Sequence, residues 1–176
     1  LLESFPDVDE NMASTARFEL AYDEFKNRNM DPFNEFVNKF STSHMAQQAL
    51  SLMARFYKDS DNKVSELGVY ARMLELYPNN PRTLNGYAWR MAEMELNLED
   101  ALAKARYAVE LTAIDKDFQA GILDTEAEVL WKMGRFNEAI LTIEKSLRIN
   151  PSSDYFMNQK AKFVNAKKDA RKHVPA

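Results

Sequence analysis

The sequence predicts an all-α chain of repeated antiparallel helix pairs, and three observations lead there. Only four glycines and six prolines interrupt 176 residues, and no run alternates β-branched with polar residues as a half-buried strand would. Small and large apolar residues recur at three- and four-residue spacing, which places them on one helix face. The pattern also returns after 34 and 39 residues, and Pro78 and Pro151 close two of the copies. That return marks a repeated unit rather than one isolated hairpin. With 45% hydrophobic and 28% charged residues, the chain has enough apolar surface to form a core over most of its length.

The elements follow in order. Residues 1–46 form an acidic N-terminal segment with nine acids and four bases, and within it two apolar stripes predict a degenerate helix pair. Phe18, Tyr22 and Phe25 make the first stripe, and Phe33, Phe36, Val37 and Phe40 make the second. Asp31 is expected as the cap between them, with Pro32 in the first turn. The pattern runs unbroken through Ser43, His44 and Met45 into residues 47–153, which hold three further pairs. In the first of these, Ala54 and Tyr57 belong to one helix, Tyr70 and Met73 to the next, and Pro78 ends it. In the second, Ala88 is followed by Ala101, Ala105 and Ala108; Asn85 and Gly86, a common turn dipeptide, fall inside a helix because their flanks match the other copies. In the third, Leu123, Ala127 and Leu130 share a face, Gly134 permits the turn, and Ala139, Ile143 and Ser146 precede Pro151. Small residues at these positions let the two helices approach, and larger ones close the remaining space. Residues 154–176 are a basic capping helix and tail: Ser152 or Ser153 caps it, Phe156, Phe163 and Ala170 cover the preceding pair, and the lysines keep its outer face wet.

The stretches "ILDTEAEVLWKMGRFNEAILTIEKSLRINP" and "LNGYAWRMAEMELNLEDALAKARYAVEL" resemble the tetratricopeptide repeat family, whose unit is a pair of antiparallel helices. "ALSLMARFYKDSDNKVSELGVYARMLELYPNNP" resembles it less closely. There Glu66 stands where the family has a small residue, which predicts a looser approach of that second helix. The middle copy is also longer, and Ala113 replaces its terminal proline. The resemblance implies a right-handed superhelix in which the first helix of each pair lines the concave face. On that alignment Arg55, Trp89, Glu93, Asp124, Glu128, Trp131 and Lys132 are the expected peptide-binding residues, exposed along a groove. Trp89 and Trp131 would give apolar anchors, and Arg55 and Lys132 would engage carboxylate or backbone groups. Some relatives clamp the carboxylate of a chaperone tail with repeated lysines and asparagines. The equivalent positions here hold Ser51 and Arg55, Asn85 and Trp89, then Asp124 and Glu128, so only Asn85 fits, and an internal peptide or a neighbouring domain is the better partner class.

Other chemistries find little support. Without cysteine there are no disulfides, thiolate nucleophiles or cysteine metal sites. His44 and His173 stand alone near opposite ends, no nucleophile is paired with a base, and Glu93, Asp124 and Glu128 are carboxylates of the kind solvated helices carry without catalysis. "DSDNKVSE" begins like a calcium loop but has Val64 where the sharp-turn glycine belongs and Tyr70 where the distal glutamate belongs. No metal, cofactor or catalytic residue is therefore expected. A formal charge of -4 and the absence of a nucleic-acid motif argue against nucleic acid as partner. No apolar run approaches the roughly 20 residues of a membrane helix, so direct membrane insertion is not expected, and "LLESFPDVDE" does not read as a signal peptide. The expected function is a protein-interaction scaffold for an extended peptide or a neighbouring protein domain, forming the C-terminal region of a longer protein. The alternative is a homo-oligomerisation module in which the basic end, two acids and six bases over residues 153–176, or an open repeat face meets another copy.

Overall fold

A computed structural model describes residues 10–172, and every regular element among them is an α-helix. The helices are α1 (Glu10–Lys26), α2 (Asp31–Lys39), α3 (His44–Asp59), α4 (Lys63–Leu76), α5 (Pro81–Met94), α6 (Leu98–Leu111), α7 (Lys116–Lys132), α8 (Phe136–Ile149) and α9 (Asp154–Lys172). They form four antiparallel pairs followed by a last helix, as the spacing of apolar residues predicts. His173 and the acidic residues Asp7 and Asp9 lie outside the described residues. The chain divides into two compact units, residues 1–76 and 77–176.

In the first unit the core of the α1–α2 pair is aromatic. Phe18 stacks on Phe33 at 5.6 Å and meets Phe36 edge-on at 5.7 Å, while Phe25 lies 4.9 Å from Phe33. Such offset and edge contacts add to the area these rings bury. Asp31 is not the cap of α2: the residue before the helix is Met30, whose side chain makes no capping bond. Asp31 instead occupies the first turn ahead of Pro32, where its charge faces the positive helix end. Ser43 caps α3, its hydroxyl accepting from the Met45 N–H at 3.2 Å. Glu66 is buried in the first turn of α4 with 1% exposure, and α3 and α4 meet less extensively than the α5–α6 and α7–α8 pairs, in line with the looser approach expected where a small residue is replaced. Arg72 of α4 reaches α2, donating to Asn34 at 3.1 Å and Asn38 at 2.6 Å.

The second unit is built on small residues. Ala88, Ala101, Ala105, Ala108, Ala127 and Ala139 are fully buried, with Ile143 and Ser146 beside them. Asn80 caps α5 by accepting from Arg82 and Thr83 N–H groups, and Pro81 fills the first helical position, where no N–H is needed. Asn85 and Gly86 lie within α5, as their flanks require. Asp115 caps α7 through Phe118 N–H. The longer α6–α7 connection is held by Gln119, which donates to the Val109 carbonyl at 2.9 Å. Gly134, at φ +74, makes the α7–α8 turn. Ser146 of α8 donates to the Ala120 carbonyl at 2.9 Å, a contact that only a small side chain on each helix permits. α7 packs against α5, α6, α8 and α9 and is the central helix of this unit. Ser153 caps α9 through Phe156 N–H; Phe156 and Phe163 are buried, whereas Ala170 is exposed.

Candidate functional site

Six of the seven groove candidates lie in the second unit, on α5 and α7. Trp89 is half-buried on α5, and Glu93 one turn on is exposed and pairs with Arg90 at 3.1 Å. Lys132, at the end of α7, reaches back to Glu95 just beyond α5 at 2.8 Å. Its ammonium also lies 4.8 Å from the centre of the Trp131 ring. These four side chains retain contact with solvent. Arg55 belongs to the first unit, where it is exposed and loosely paired with Asp59 at 3.8 Å.

Asp124 and Glu128 are placed differently from the exposed positions expected of them. Their exposures are 4% and 8%, because α9 lies along this face of α7. Tyr155 donates its hydroxyl to Asp124 Oδ2 at 2.9 Å and accepts from Gln159 at 3.0 Å. One turn further, Lys162 donates to Glu128 and sits 4.3 Å from the Trp131 ring centre. Phe163 completes the contact, 6.1 Å from Trp131. Tyr155, Gln159 and Lys162 recur at four- and three-residue spacing, so one polar stripe of α9 meets one polar stripe of α7. Sequence reading missed these three because it assigned α9 to covering apolar surface; the stripe itself was the available signal.

Burial pushes the Asp124 carboxyl up to about 6, against the opposing effect of the Tyr155 hydrogen bond. Tyr155 is itself pushed up to about 12, by burial and then by the charge of Asp124. Within this site two acceptors have no hydrogen-bond partner: Asp124 Oδ1 and Asn85 Oδ1, both shielded from solvent. They occupy equivalent positions in successive first helices, 39 residues apart, like Ala88 and Ala127. Among the described residues no three acidic or histidine side chains gather as a metal site, and no helix is long and apolar enough to cross a membrane.

No family model and no curated protein matches the chain in sequence. Its fold is nevertheless shared with solved structures. Pseudomonas aeruginosa pilF is similar over 89% of this chain and 70% of its own, with a TM-score of 0.66 and 19% identity. PilW, a widely conserved type IV pilus biogenesis factor, is similar over 96% of this chain and 81% of its own, with a TM-score of 0.61 and 11% identity. Together with the helix pairs, these likenesses give the chain a tetratricopeptide-type fold.

Proposed function

We propose that the chain is a protein-interaction scaffold whose second unit binds an extended segment of a partner protein against the first helices α5 and α7. The observation that carries this reading is the open face of α5, where Trp89 and Glu93 keep contact with solvent and Asn85 Oδ1 is an acceptor without a partner. A shielded acceptor left unpaired costs about 1–3 kcal/mol, and donors arriving with an extended segment, its backbone N–H groups, would recover that cost after a small side-chain rotation. Trp89 supplies apolar contact beside Asn85. Trp131 supplies a second aromatic surface whose position is held by Lys132 and Lys162. Glu93 and Lys132 form a polar rim that restricts geometry. Asp124 and Glu128 act by orienting Tyr155 and Lys162 of α9. In the first unit, Arg55 is the corresponding cation for an acidic or carbonyl group.

The test begins with a partner that co-purifies with the full chain and binds it directly. That partner is then titrated against W89A, W131A and N85A proteins whose circular dichroism matches the parent. Losses of at least about tenfold for W89A are expected of a buried aromatic anchor, with a smaller loss for N85A. Parent-like affinity for W89A and W131A alike would overturn the reading. Stable self-association in the absence of any partner binding would favour an oligomerisation module instead.

A further inference from the structure

Where the α7–α8 turn meets the end of α9, the second unit has an open cavity of about 330 Å³, lined by residues that include Gly134, Arg135, Phe136, Glu138, Lys167 and Arg171. Its charges do not balance. Glu138 accepts two bonds of 2.7 Å from Arg135 and lies 3.8 Å from Arg106, so the carboxylate is already surrounded by cations and its pKa is lowered, first by the Arg135 hydrogen bonds. Lys167 and Arg171, one turn apart on α9, pair with no described carboxylate. Their neighbours differ: Lys160 pairs with Glu144 and Lys172 with Asp169. Phe136, half-buried, and Ala170 add apolar wall between the cations.

We propose that this cavity docks an acidic segment of a partner protein, with a carboxylate engaging Lys167 and Arg171 and an adjoining apolar side chain packing on Phe136. Arginine and lysine together provide a directional and a point-like donor for a carboxylate. The apolar wall formed by Phe136 and Ala170 favours a side chain over a bare anion. The cavity is a site beyond the scaffold surface at Asn85 and Trp89, and its test does not depend on that surface.

The experiment uses the full chain and a short fluorescent synthetic peptide of alternating glutamate and leucine, titrated by anisotropy at low and moderate salt. A peptide with glutamine in place of each glutamate is the neutral control. The double variant Lys167→Gln, Arg171→Gln should weaken binding at least about fivefold, as the loss of two charge-assisted contacts to one carboxylate implies. Lys168→Gln removes the same kind of charge from an exposed position outside the cavity and should change affinity less than about twofold. Phe136→Ala should weaken the acidic peptide while leaving its salt dependence intact. Equal affinity for the neutral peptide overturns the proposal, as does no saturable binding of the acidic one. An effect of Lys168→Gln as large as that of the double variant would show only diffuse attraction, and also overturns it. If sedimentation shows that the parent self-associates and the double variant does not, the occupant is a second copy and the proposal fails in that form.

Discussion

Asp124 carries the largest consequence of a single side chain. Burial pushes its carboxyl up to about 6 from the ordinary 3.8 of an exposed aspartate, so between those values the folded state holds a proton that the unfolded state has released. Stability therefore rises as pH falls from 7 through that window, and is lost again as pH rises, by up to about 3 kcal/mol if the shift is fully expressed. Urea unfolding at pH 5 and pH 7.5 should show this slope in the parent, and Asp124→Asn should flatten it. Gly134 has a simpler role. A Cβ there would meet nothing within 4 Å, but φ is +74, so Gly134→Ala should cost about 1–2 kcal/mol through backbone conformation alone. Gly134→Asn should cost less, and chemical denaturation of the three proteins would show the order. The turn at Gly134 was legible because glycine is the usual residue for a positive φ. The burial of Asp124 was not, because a carboxylate on a polar helix stripe reads as solvated until a partner helix supplies Tyr155.

At the scale of the helix, α9 joins the second unit by both kinds of contact at once. Phe156 and Phe163 bury apolar surface, while Tyr155 and Lys162 bond the carboxylates of α7 and Lys160 reaches Glu144 of α8. The buried carboxylates need those donors, since an unpaired charge removed from water is costly. Phe163 has no exposed surface, and Phe163→Ala should cost about 3–5 kcal/mol. Hydrogen exchange should then quicken along residues 154–172, and Trp131 fluorescence should report a wetter ring when measured in a Trp89→Phe background. Lys167→Gln, at a partly exposed position on the same helix, should leave both signals near the parent's. A capping role for this helix was readable from its two phenylalanines and its lysines. Its choice of α7's polar stripe as a docking surface depends on how two helices lie together, which neither helix specifies alone.

Within the whole molecule the α1–α2 pair is filled by rings, whereas the other pairs are filled by alanines and aliphatic side chains. The second unit is organised around α7, which packs against four other helices and whose Ala127 is fully buried. Ala127→Arg should therefore cost at least about 1–3 kcal/mol by forcing apart helices that approach over a methyl group. The loss should appear as faster amide exchange in α5, α6, α8 and α9 together, because nearest-neighbour seams share their stability in a repeat array. Exchange confined to α7, or unfolding free energies equal to the parent's, would show that Ala127 does not hold these seams. Glu66 shows what a long side chain does at a small-residue position: it is enclosed in the first unit, and the α3–α4 pair meets less extensively than the pairs that carry alanine there.

Periodicity by itself determined the helices, their pairing and their turns. Contacts three and four residues apart, a cap such as Ser153 and a stop such as Pro151 are local, so the order of residues is sufficient to set them. Tertiary structure alone decided which polar faces remain open. Trp89 and Glu93 keep their solvent contact on α5, whereas the matching stripe of α7 is taken by Tyr155 and Lys162 from a helix 31 to 34 residues away in sequence. Helix periodicity is the same for a face that meets water and a face that meets a polar partner, and only the packing of α9 distinguishes the two.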